Sequence, residues 1–104
     1  MLMINVIAII TTKPGMRDDA LTAFNANVPA VLAEQGCIEY AAATDSDGFG
    51  GFQAELGPDT FAVIEKWESK EALMAHAVSD HMKEYGAKTK DLLADRKIHI
   101  LSNV

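Results

Sequence analysis

The order of apolar patterning along the chain predicts an α+β fold, one antiparallel sheet with helices on one of its faces. Three observations carry this. β-branched runs flank each of two helical stretches, which gives strand, helix, strand, strand, helix, strand. Gly- and Pro-bearing turns separate the pieces. The 104-residue length allows one domain and not two.

The first strand, MLMINVIAIITT, is rich in Ile and Val and ends at Lys13-Pro14-Gly15. Asn5, Ile7 and Ile9 share one face; Ile4, Val6, Ala8 and Ile10 share the other. Arg17 to Gln35 reads as a helix, because Leu21, Phe24, Val28, Val31 and Leu32 make one apolar stripe. Asp18 and Asp19 suit its positive end, Gly36 its stop, and Pro29 predicts a bend. Cys37 to Asp45 is a second strand. SDGFGG follows as a turn. Its glycines match neither GxxxxGK[ST] nor a GxGxxG between strand and helix, so no phosphate loop is expected. FQAE is a short extended piece before Gly57-Pro58-Asp59.

Thr60 to Glu68 is the third strand, with Phe61, Val63, Glu65 and Trp67 on one face. Ser69 is placed to cap the helix over Lys70 to Val78. Ser79 and Asp80 restart it, and Asp80 to Leu93 continues with Met82, Tyr85, Thr89, Leu92 and Leu93 inward. Lys97 to Asn103 closes the chain as a strand in which Ile98 and Ile100 alternate with polar neighbours. This order is the split βαβ pattern of the ferredoxin-like fold. Helices cover one face of such a sheet, yet the first strand is apolar on both. A second copy of the chain is the expected cover, giving a homodimer whose two sheets meet face to face.

Composition narrows the function. Nine Lys and Arg against 15 Asp and Glu leave a net charge of −6. That balance disfavours nucleic acid, which needs a basic face, and disfavours an anionic membrane surface. The apolar N-terminus lacks a basic flank and a cleavage site and is too short to span a bilayer. A single cysteine, Cys37, excludes an internal disulfide framework. The expected location is the reducing cytoplasm.

The chemistry-bearing residues gather late in the chain. Glu65 shares a face with Trp67, and a carboxylate buried there is either an acid or base with a raised pKa or a rim group paired to Lys66, to Lys70 or to a cation of a second copy. Trp67 is core or pocket wall, and its N–H needs a partner in either case. His76 lies on the inward stripe of its helix, as a hydrogen-bonded core residue or as a catalyst. His81 stands near the start of the next helical piece, either exposed or capping it. The two His are five apart, which does not place two ligands on one helix face, so no metal site is expected. Tyr40 lines one of the covered faces, and His99 points away from Ile98 and Ile100. No nucleophile motif is present.

WESKEALMAHAVSDHMKEY resembles the signature of the antibiotic biosynthesis monooxygenase family: a strand ending in Trp, then a helix with a His, a break, a second His and an aromatic. VIAIITTKPG, VPAVLAEQGCIEYAAATD and RKIHIL extend the resemblance over the whole length. It implies a dimeric α+β barrel and a cofactor-free oxygenase that joins molecular oxygen to a quinol or polycyclic phenol, without flavin or metal. The alternative is a non-catalytic dimeric binder of quinone-like aromatics. Trp67, His76 and His81 carry over from the motif; Glu65 and Tyr40 join them on face and burial. His76 is expected as base or hydrogen-bond partner of the quinol hydroxyl, with Trp67 and, on the same strand face, Phe61 as walls against the ring. Asn5 is expected at the pocket mouth. Two departures bear on chemistry. The haem-degrading relatives' axial His position reads Gly86 and their Asn position falls at Val6 or Ile7, so haem breakdown is not expected. Leu73 stands where polyketide-oxidising relatives place a Tyr.

Overall fold

The computed structural model of the chain describes residues 3–104. Its elements in order are β1 (Ile4–Thr12), α1 (Arg17–Leu32), β2 (Cys37–Ala43), β3 (Thr60–Trp67), α2 (Lys70–Ala77), α3 (Asp80–Thr89) and β4 (Leu93–Ser102), with one 3-10 turn at Gly50–Phe52. The strands form one antiparallel sheet in the order β2-β3-β1-β4. This is the ferredoxin-like split βαβ arrangement that the sequence predicts. The expected start of the first strand at Met1 lies outside the described residues.

Pairing fixes which side chains share a face. Val6 lies between Glu65 on β3 and Ile100 on β4, and Ala8 between Val63 and Ile98. Tyr40 on β2 also pairs with Glu65. These rows face the helices, and the core is built on them: Val6, Ala8, Ile10, Phe61, Val63 and Trp67 from the sheet, Ala20, Phe24 and Val31 from α1. Phe24 is the centre of an aromatic cluster, stacked on Tyr40 at 4.9 Å between ring centroids and edge-on to Phe61 and Tyr85. The opposite face of the sheet is uncovered in the single chain, and Ile7 there is 38% exposed.

The helices and strands depart from expectation mainly at their ends. Pro29 stays inside α1, which closes at Leu32 instead of Gln35. Pro29 and Asn25 are both on the exposed side, so water serves the carbonyl that loses its N–H partner. β2 stops at Ala43, before Asp45. The Asp45 carboxylate instead accepts the backbone N–H groups of Leu56 and Gly57 at 2.8 and 2.9 Å, which ties down the 46–57 loop. FQAE forms no strand; its Phe52 ends the 3-10 turn. The helix expected to run to Leu93 ends at Thr89, and β4 begins at Leu93 because β1 is long enough to pair with it through Thr12. The break in the second helical stretch falls at Val78 and Ser79. There Ser79 Oγ donates to the carbonyl of His76 at 2.8 Å and turns the chain into α3.

Candidate active site

A cavity of about 400 Å³ lies between the helix-side face of the sheet and helices α2 and α3. Its walls are mainly apolar. Phe24, Tyr40 and Tyr85 supply aromatic surface, Val6 and Ala8 its floor, and Glu65 and His76 its titratable groups. Ile98 and Ile100 form the flank on β4 and stay 49% and 61% exposed, because no helix reaches over that edge strand. A second depression, of about 360 Å³, lies between Arg17 and the 44–58 loop; it contains no aromatic side chain and no His. The chemistry is therefore concentrated in the first.

His76 reaches the cavity from the last turn of α2. Its Nδ1 lies 2.6 Å from Glu34 Oε2. A carboxylate oxygen only accepts, so Nδ1 carries the proton and donates. In the neutral ring Nε2 is then the nitrogen with the lone pair, and among the described residues no protein group pairs with it. The indole of Trp67 packs on the imidazole with ring centroids 4.6 Å apart, and Tyr40 meets it edge-on at 5.5 Å. The ring is thus fixed on three sides.

Glu34 follows the end of α1, in the turn before β2. It is aimed at α2 because Gly36, at φ +86°, reverses the chain with its Cα close against Ala72. The Gly36 carbonyl accepts the N–H of Glu68 at 2.8 Å, which holds this turn on the start of α2. Ala72 stands one helical turn before His76, so contact at one fixes the reach of Glu34 to the other. The second Glu34 oxygen, Oε1, lies 3.2 Å from Nε2 of His81 at the start of α3.

Glu65 is buried on β3, and one of its oxygens accepts Trp67 Nε1–H at 2.9 Å. Burial raises its pKa above the usual glutamate range; the Trp67 hydrogen bond and His76 pull it part of the way back, and Glu34 adds to the rise. The expected pairing with Lys66 or Lys70 does not form: Lys66 lies 3.7 Å from Glu39 on the other face. Burial and the nearby Glu65 push the Tyr40 phenol far upward, and burial raises Tyr85, partly offset by Arg96. Both phenols therefore keep their protons at neutral pH and do not serve as bases there.

The structure brings together Tyr40, Glu65, Trp67 and His76; His81 meets them only through Glu34 and does not line the cavity. The fold separates two other expected residues from them. Asn5 lies on the opposite face of the sheet, where its Nδ2 donates to Asn103 Oδ1 at 2.8 Å, because it sits in the β1 row with Ile7 and not with Val6. Phe61 is fully buried in the core and does not reach the cavity. Trp67 is also fully buried, so it backs His76 instead of forming a wall. Glu34 and Arg96 were not anticipated. Glu34 lies past the last helical turn, where periodicity gives no signal, and only the Gly36 turn hints at its direction.

The fold and site define a ferredoxin-like α+β protein with an aromatic-walled cavity, open along β4, and a fixed imidazole on its wall. The chain belongs to the antibiotic biosynthesis monooxygenase family, whose model matches residues 3–88, and it is accordingly a monooxygenase. It is 41% identical over 101 residues, 95% of this chain and 96% of the relative, to the probable quinol monooxygenase YgiN of Escherichia coli. The crystal structure of PA3566 from Pseudomonas aeruginosa superposes with a TM-score of 0.82 at 26% identity, covering 100% of this chain and 96% of that one. A conserved protein from Methanosarcina mazei Go1 gives 0.81 at 25% identity, covering 97% and 92%.

Proposed function

We propose that the chain is a cofactor-independent monooxygenase of a quinol or related polycyclic phenol, working with molecular oxygen as a cytoplasmic homodimer. The observation that carries this is the Glu34–His76 pair, which leaves one imidazole lone pair at an apolar, aromatic-walled cavity. The name of the YgiN relative supports the substrate class.

His76 Nε2 accepts the proton of a bound phenolic hydroxyl. The resulting phenolate is electron-rich and gives electrons to oxygen directly, so the substrate does the redox work that a cofactor otherwise carries. A carbon–oxygen bond forms at a ring carbon, and loss of water from the hydroperoxide leaves a carbonyl. The balance closes without an outside reductant: phenol and dioxygen yield quinone and water. The Tyr40 and Tyr85 hydroxyls, kept protonated by burial, are donors for the developing oxyanion. The apolar walls shield the reactive anion from water on the helix side of the cavity. Trp67 and Glu65 act together, the indole holding the imidazole and the carboxylate holding the indole.

Homodimer formation is supported by the uncovered face of the sheet, where Ile7, Ile9, Ile64 and Leu101 make an apolar surface that helices never reach.

The test is oxygen uptake by chelator-treated protein with a reduced naphthoquinol. Protein-dependent uptake above autoxidation, and a shift of mass corresponding to oxygen from the gas, are expected. Binding of the quinone with no gain in rate would replace the enzyme with the binder.

A further inference from the structure

Glu34 comes from the turn after α1, His76 from α2 and His81 from α3, yet their donor atoms lie within 4.8 Å of one another. The two His are five positions apart, which is off one helix face. The break at Val78 and Ser79 puts them on two helices, and the change of direction turns His81 Nε2 back toward Glu34. We propose that these three side chains form a binding site for a divalent transition-metal ion of the zinc class, and that its occupancy reverses the hydrogen-bonding character of His76 toward the cavity.

The donor set is one that zinc accepts: two imidazole nitrogens and one carboxylate, leaving a fourth position for water. The His76 and Glu34 side chains are 6% and 15% exposed, so the site is mostly shielded from solvent. His81 at 28% leaves it an entrance. The carboxylate already contacts both rings, with Oε2 at 2.6 Å from His76 and Oε1 at 3.2 Å from His81. An ion replacing that hydrogen bond and the second contact needs side-chain adjustment and no change of fold. Ser79 Oγ lies 3.3 Å from His81 Nε2 and donates to the His76 carbonyl, which links the loop to both ligands.

The consequence follows from proton position. Without metal, Nδ1 of His76 carries the proton and Nε2 offers its lone pair. With Nδ1 bound to the ion, the single proton of the neutral ring sits on Nε2, which then donates and cannot accept. Zinc would therefore silence the oxygenation proposed above. That effect on turnover rests on the functional reading; the site and the proton shift do not.

Both are read on the intact wild-type protein. Chelator-stripped protein is titrated with zinc sulfate in competition with a chromophoric chelator, and the imidazole nitrogens are followed by nitrogen-15 NMR. One zinc per chain is expected. The resonances of His76 and His81 should move while those of His99 stay, and His76 should change from the Nδ1–H to the Nε2–H form. H81A and E34A should each weaken binding by more than the roughly 10- to 100-fold that loss of an outer partner costs, and H99A should leave it unchanged. Absence of saturable binding up to about millimolar zinc would overturn the site. So would binding that survives both H81A and E34A, since the ion would then sit elsewhere. Binding with the Nδ1–H form of His76 retained would overturn the proton shift.

Discussion

At Gly36 an added Cβ would lie 2.6 Å from the Cβ of Ala72, and the backbone is in the left-handed region at φ +86°. Substitution by Ala therefore has two costs, strain in the backbone and a collision that pushes the turn off α2. Gly36→Ala should destabilise the protein by about 1–3 kcal/mol in urea titrations, and should also lower kcat, because Glu34 moves away from His76. Glu65 makes a second residue-scale prediction. Its pKa is raised in the native state, chiefly by burial. The native protein thus holds this proton to a higher pH than the unfolded chain does, and Glu65 makes stability fall as pH rises. The loss begins near the ordinary glutamate pKa of about 4.3 and is complete above the raised native value. Glu65→Gln removes the titration while keeping an oxygen for Trp67 Nε1–H. The stability difference, variant minus wild type, should grow in favour of the variant across that window, measured by urea unfolding from pH 4 to 7. At this scale the sequence was only partly legible. The inward position of His76 followed from its stripe, and the need of buried Trp67 for a partner was clear, but Glu34 lies outside any periodic element.

The second helical stretch shows how an element places a site. Ser69 caps α2 by accepting the Ala72 N–H at 3.1 Å, which fixes where the helix starts and, two turns on, where His76 points. Ser69→Ala should lower the unfolding free energy by about 1 kcal/mol, with a smaller effect on affinity for the substrate than on stability. The sequence predicted the cap, the break at Ser79 and the restart at Asp80. It placed the end of α3 and the start of β4 four residues late, since nothing local shows that β1 extends far enough to pair with Leu93. The same limit explains β2. Its end is set by Asp45, whose carboxylate is held below its usual pKa range by the N–H groups of Leu56 and Gly57, a contact across a loop.

For the whole molecule, the order of elements along the chain was legible from the apolar runs and turns, and the helix-covered face from the residues that share a row on β3. The apolar character of the opposite row was also legible, and the single chain leaves that row open. Facing sheets in a homodimer would cover it. Ile7 stands in this row on a central strand, so a charge there would be buried against the partner. Ile7→Lys should convert a dimer into an 11.2 kDa monomer in sedimentation at micromolar concentration, with the far-ultraviolet spectrum retained. A wild-type protein that already sediments as a monomer would contradict the dimer.

The proposed chemistry depends on His76 accepting a proton from a substrate that then reduces oxygen itself. Oxygen uptake with a reduced naphthoquinol, measured on metal-stripped wild type and His76→Ala, tests it most directly. General-base catalysis of this kind is worth about 10²- to 10⁴-fold, so the variant should lose that much of kcat while still binding the quinone. Uptake by His76→Ala at the wild-type rate, with the variant folded, would contradict the assignment.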